Sequence, residues 1–169
     1  SGNILFCCDI NNGWVTSSKK YFVRFRIQVF RQGEDTPLLD ETLNLTDRDV
    51  LISFPTGTLG DLLGWFPYAE RFQSLHQCRL ECTMAQDIID LLAPQYPQIC
   101  FSTPEKPRTT EPYATYRVGL YFGGDTNNQP VDFRQVSFHR SAGYILGVDP
   151  REAPVRLDLS APRTVREPY

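Results

Sequence analysis

A short apolar run, Val50–Leu51–Ile52 followed by Phe54, leads into Pro55–Thr56–Gly57–Thr58–Leu59–Gly60–Asp61 and then into Leu62, Leu63, Trp65 and Phe66. No other stretch constrains the fold as much. A strand that is apolar at consecutive positions is buried on both faces, as parallel strands between helices are. Gly57 and Gly60 permit backbone conformations closed to other residues and let a ligand come close. Asp61 stands where a helix should begin, and a carboxylate there caps free N–H groups and suits the helix dipole. In an open α/β sheet, ligands bind beyond the carboxyl ends of the strands, where this turn would lie.

The rest of the chain alternates in the same way. A helix is expected over 61–76, with Leu62, Leu63, Phe66, Ala69 and Phe72 on its apolar side. Pro67 should kink or loosen it. A strand over 79–83 and a helix over 85–93 follow, the helix ended by Pro94 and Pro97. Strands at 99–102 and 115–122 flank a proline-rich loop, and a helix over 131–147 is stopped by Gly147. Ahead of Asp49 the pattern is β. Ile4–Ile10, the turn Asn11–Asn12–Gly13 and Trp14–Val15 read as a hairpin. In 21–30, Tyr21, Val23, Phe25, Ile27 and Val29 alternate with Arg24 and Arg26, which puts one face inward and the arginines in solvent. Leu39, Leu43 and Leu45 continue on a further strand. The division is therefore an antiparallel β meander over 1–46, a Rossmann-like α/β lobe over 47–150, and a linker or wrapping tail over 151–169.

Composition excludes several classes. The 169 residues suit one domain, or one with a small appendage. Net charge is −3 and the basic residues are scattered, so no nucleic-acid surface is read. No apolar run is long enough to span a membrane and no secretory signal is present, which points to the cytoplasm. Met84 is the sole methionine and the sequence opens at Ser1, as expected of a processed product or a piece of a longer polypeptide. The five cysteines, Cys7, Cys8, Cys78, Cys82 and Cys100, have no disulfide spacing and read as buried free thiols in a reducing compartment. Cys78 and Cys82 flank a strand, too far apart to share a metal, and no Cys or His pair completes a zinc site, so no metal ligands are assigned.

Read from the residues alone, the chemistry stays open. The glycine turn has neither a Walker ending nor the dinucleotide glycine pattern. Asp61 is equally an N-cap or a general base. His139 and Arg140 are either an acid/base group beside an anion grip or a pair on a helix surface. Trp65 fits core packing better than a sugar platform.

The stretch Phe54–Ala69 resembles the first βα turn of the ADP-heptose glycosyltransferases, in which a Gly-Asp pair opens the first helix and a proline follows six residues on. Ser17–Arg26, Ala114–Phe122 and Phe138–Pro150 resemble the subgroup that adds heptose to autotransporter proteins, so the likeness covers most of the chain. The resemblance implies a two-lobed GT-B enzyme whose N-terminal lobe receives the acceptor and carries the base. The present chain would be that lobe with its β element, and the lobe binding the nucleotide-sugar would lie outside it. It implies that Asp61 takes a proton from an autotransporter serine as the hydroxyl attacks ADP-heptose. Thr58, Leu59 and Gly60 would line the cleft, with His139 and Arg140 as further substrate contacts. It further implies no cofactor in this chain, a family iron site in the part not matched here, a homo-oligomer in the full-length form, and no turnover by these residues alone. Two other functions stay in view: a non-catalytic module that holds the acceptor or a sister subunit, and a flavodoxin-like nucleotide binder.

Overall fold

The structure is a computed structural model that describes residues 2–17, 19–106, 110–122 and 124–157. Its centre is a four-stranded, wholly parallel sheet of β3 (Asp49–Ser53), β4 (Arg79–Thr83), β5 (Cys100–Ser102) and β6 (Ala114–Arg117), in the order β5-β4-β3-β6. Helix α1 (Leu59–His76) joins β3 to β4, and α2 (Gln86–Leu92), followed by a single tight turn at Ala93–Gln95, joins β4 to β5. Counted along the chain, the four parallel strands stand 3-2-1-4, the order of the first strands of a doubly wound sheet. The connection therefore reverses direction between β3 and β6, and this is where such sheets open a crevice.

β3 is central for the reason its sequence suggests. Val50, Leu51 and Ile52 are all buried, so both faces of the strand are covered. α1 lays Phe66, Ala69 and Phe72 into the core, where Phe66 meets Tyr96 edge-on at 4.7 Å and Phe72 meets Tyr116 at 4.8 Å. The helix runs through the buried Pro67 to His76, and Gln77 ends it in the left-handed region at φ +52°.

Four expectations of the fold need correction. The strand expected over 115–122 is β6 alone and ends at Arg117. The β element preceding the lobe is a two-stranded antiparallel ribbon, β1 (Arg26–Phe30) with β2 (Pro37–Thr42); no strand forms among the described residues before Arg26. The alternation through Tyr21–Val29 does not produce a fully buried face: Val23 and Ile27 are exposed, and Tyr21, Phe25 and Val29 are only half-buried. Leu45, just past the ribbon, is the residue that reaches the core. Next, the helix expected over 131–147 is two short pieces, α3 (Phe133–Val136) and α4 (Ser141–Leu146). They are separated by Ser137, whose φ of +84° no helix allows. Finally, the cysteines are not all buried. Cys78 and Cys82 are, but Cys7, Cys8 and Cys100 are exposed, the first two in the strandless N-terminal segment and Cys100 at the start of the edge strand.

After α4, which Gly147 closes at φ +65°, the chain crosses α1 as a strap. Of the tail expected over 151–169, residues 158–169 lie outside the described residues. The Tyr68 hydroxyl donates to the Pro150 carbonyl at 3.3 Å, and Arg140 Nε donates to the same oxygen at 3.0 Å. Arg71 donates to the carbonyls of Asp149, at 2.7 Å, and of Arg151 and Glu152. Farther on, the Arg156 N–H donates to the Tyr96 hydroxyl at 2.7 Å and its guanidinium lies over the Tyr96 ring. Arg71→Met keeps the aliphatic stem and removes the shared donor. It should cost about 1.5 kcal/mol, as expected for bonds made by a charged group. Urea unfolding of this chain would read the cost, and hydrogen exchange should speed up at 149–152 while the β3 amides stay protected.

Candidate active site

The switch point between β3 and β6, where such sheets bind ligands, is framed by the segments that leave those strands. The Val118 N–H donates to the Ser53 carbonyl at 2.9 Å, which carries the parallel pairing one residue past the sheet. Beyond it, Gly119 passes Thr56, and a Cβ on Gly119 would lie 3.4 Å from the Thr56 hydroxyl. Pro55 through Gly60 are all exposed, so the glycine turn forms a solvent-facing lip.

At this lip the helix starts earlier than expected. Thr58, extended at φ −80° and ψ 172°, is the N-cap, and Asp61 is the third helical residue, N3, instead of the cap itself. The two form a capping box, whose short bond runs from the Thr58 N–H to Asp61 Oδ2 at 2.6 Å. Asp61 is half-buried, and among the described residues no hydrogen bond reaches its Oδ1. One carboxylate oxygen is therefore anchored to the backbone at the lip.

The floor under the turn is Trp65. Gly57 has φ +131°, open in practice only to glycine, and a Cβ there would meet Trp65 Cζ3 at 3.0 Å and Asp61 Cβ at 3.2 Å. The Trp65 indole is fully buried, stacks on Phe138 with ring centroids 5.3 Å apart, and donates its N–H to the Phe138 carbonyl at 3.1 Å. The Ser141 hydroxyl donates to the same carbonyl at 2.7 Å. Phe138 continues an edge-to-face series through Phe133 to the exposed Phe122.

The sequence-predicted residues are thus partly brought together. Thr58, Leu59, Gly60 and Asp61 share the lip by being consecutive in the turn. His139 is exposed, and its ring lies against α1 at Gly64, three residues past Asp61. Arg140 points elsewhere, to the strap, with Nε on the Pro150 carbonyl. The sequence reading missed Gly64 and Phe138. Gly64 left a visible sign, a glycine in a helix interior. Phe138 left none, because its role depends on how 137–139 dock. Among the described residues no group of three or more His, Cys, Asp or Glu is placed to hold a metal ion, and no helix is long and apolar enough to cross a membrane.

Comparison with known proteins gives this geometry a context. A family model described as "Glycosyltransferase TibC, N-terminal domain" matches residues 1–33. The autotransporter heptosyltransferase BAHTCr of Citrobacter rodentium is 97% identical over all 169 residues, which span 41% of its length. The autotransporter heptosyltransferase TibC of Escherichia coli O78:H11 is 89% identical over the same residues, 42% of its length. A solved structure, described as dodecameric iron-containing heptosyltransferase TibC in complex with ADP-D-β-D-heptose, superposes with a TM-score of 0.89 at 89% identity, covering 99% of this chain and 44% of that one. The chain spans about two-fifths of the length of the curated relatives it matches. The chain is thus similar, through every part of it, to a portion of the autotransporter heptosyltransferases.

Proposed function

We propose that this chain is the acceptor-side, base-carrying part of a cytoplasmic GT-B glycosyltransferase that moves heptose from ADP-heptose to serine hydroxyls of an autotransporter protein. The observation that carries the reading is the placement of Asp61. It follows the switch-point strand of the parallel sheet, at a helix mouth, half-buried, with Oδ2 anchored by the Thr58 N–H and no hydrogen bond on Oδ1 among the described residues.

In this scheme the serine Oγ attacks the anomeric carbon of the heptose. Asp61 Oδ1 takes the hydroxyl proton as the new C–O bond forms, and the bond from the anomeric carbon to the ADP phosphate oxygen breaks, releasing ADP. A carboxylate is a weak base at neutral pH, so its contribution depends on being aligned with the proton as the hydroxyl becomes acidic in the transition state. Tying Oδ2 to the backbone supplies that alignment. Thr58, Leu59 and Gly60 line the lip, and His139 contacts substrate one helical turn away. Arg140, engaged with Pro150, serves the strap that holds the 138–150 segment in place.

The iron in the name of the solved relative has a poor match here. Cys78 and Cys82 are buried, and burial pushes both thiols up, Cys82 well above its ordinary value, against the thiolate form that binds iron. Cys7, Cys8 and Cys100 are exposed and have no clustered partners among the described residues. No step is assigned to iron in this chain. The dodecamer in the same name supports a homo-oligomer for the full-length protein.

The test is mass spectrometry of autotransporter acceptor incubated with ADP-heptose. The full-length protein should add heptose to serine, and the 169-residue chain alone should add none. No transfer by the full-length protein would leave an acceptor-holding module, and transfer by the chain alone would show that the nucleotide-sugar needs no second lobe.

A further inference from the structure

Gly64 sits inside α1, where glycine weakens a helix relative to alanine. A Cβ at this position would fall on the His139 ring, at Cδ2, Cγ and Nε2, far inside van der Waals contact. The ring is exposed, so core packing does not require it there. Its backbone, by contrast, is held on several sides. The Phe138 carbonyl accepts from the Trp65 indole and the Ser141 hydroxyl, the His139 carbonyl accepts from the Ala142 N–H at 3.1 Å, and Ser137 turns the chain at φ +84°.

Position along the helix gives this seat a meaning. Asp61, Gly64, Tyr68 and Arg71 are spaced i, i+3, i+7 and i+10 and form one stripe of α1. Tyr68 and Arg71 are taken up by the strap. The stripe is thus covered from Arg71 up to Gly64, and the His139 ring is the last covering group before the half-buried Asp61 carboxylate. A neutral imidazole offers one N–H and one lone pair, which suits a hydroxyl that both accepts and donates.

We propose that Gly64 is a positioning residue of the transfer site: by lacking a side chain it seats the His139 imidazole on α1 one turn from Asp61, where the ring binds a hydroxyl of the sugar donor. This rests on the assignment of Asp61 as the base. The experiment uses the full-length protein with ADP-heptose and an autotransporter acceptor, and reads kcat, donor KM and melting temperature. His139→Ala should raise donor KM about tenfold, the loss of one well-placed hydrogen bond, with less change in kcat. His139→Asn, which keeps a donor and an acceptor, should recover part of this. Gly64→Ala should raise donor KM to a similar degree while the melting temperature is unchanged or higher, because alanine favours the helix and the exposed ring can swing aside. Gly64→Ala with His139→Ala should be no worse than His139→Ala alone. If Gly64→Ala does not fold, the double variant, relieved of the clash, carries the test and must show the His139→Ala donor KM. Wild-type donor KM in either single variant overturns the seat. If Asp61→Asn also transfers normally, the base assignment falls with it; if Asp61→Asn is inactive, only the seat falls.

Discussion

Asp61→Asn in the full-length protein is expected to lower heptose transfer by about 10²–10⁴-fold, the usual contribution of a positioned general base. The substitution is informative because Asp61 has two roles. As N3 of the capping box it accepts the Thr58 N–H. An asparagine carbonyl oxygen accepts that bond equally well and loses only the charge at the helix mouth, worth about 0.3–1 kcal/mol. The helix start, and with it the lip, should therefore survive. What is lost is the oxygen that takes the serine proton. Asp61→Ala removes both roles and should be less stable than the Asn variant without being much less active. Asp61→Glu keeps the charge but moves the oxygens by a methylene, and misplacement on that scale costs about 10²-fold. Transfer by the Asn variant at near wild-type rate, with circular dichroism unchanged, would remove Asp61 from the mechanism and leave it as a helix cap.

The parts of this site that the sequence displays are the local ones. The apolar run of β3, the glycine turn and the apolar face of α1 are written in consecutive residues, and the parallel sheet follows from their alternation. The Thr58-x-x-Asp61 spacing of a capping box is also visible, and it fixes the N-cap three residues before Asp61 once both members are read together. What consecutive residues do not display is docking. The apolar and polar positions of 131–147 are mixed because the segment is not one helix: Ser137 leaves the helical region so that Phe138 and His139 can lie on α1. The ribbon misleads in the opposite way. A period of two in 21–30 reports a strand with two different faces, but the residues do not state how far the apolar one is covered, and it is covered only in part, with Val23 and Ile27 left exposed. Arg140 stands beside His139 in the sequence yet serves the strap, because successive residues leaving a turn point to different neighbours.

Trp65→Ala is expected to have the largest effect on stability, about 3–5 kcal/mol, the range for removing a large buried aromatic side chain. For a chain of this size that is a fall in melting temperature of about 10 °C, measurable by calorimetry on the 169-residue chain itself. Two losses combine: the cavity left by a side chain with no exposed surface, and the end of its stacking on Phe138. The carbonyl of Phe138 would keep the Ser141 hydroxyl as its donor, so the lost indole bond adds little. Trp65→Phe separates these contributions. It retains most of the ring, gives up the N–H bond to Phe138, and should cost only about 1–2 kcal/mol. The same pair of variants connects packing to chemistry. Gly57 rests on the indole, and the place its Cβ would take is 3.2 Å from Asp61 Cβ, so the height of the lip is set by the ring beneath it. In the full-length protein, Trp65→Phe should lower kcat, because the floor supports the carboxylate, and also raise donor KM, because the indole N–H holds the Phe138 carbonyl beside His139. A melting temperature unchanged by Trp65→Ala would mean that the indole is not the floor of the turn.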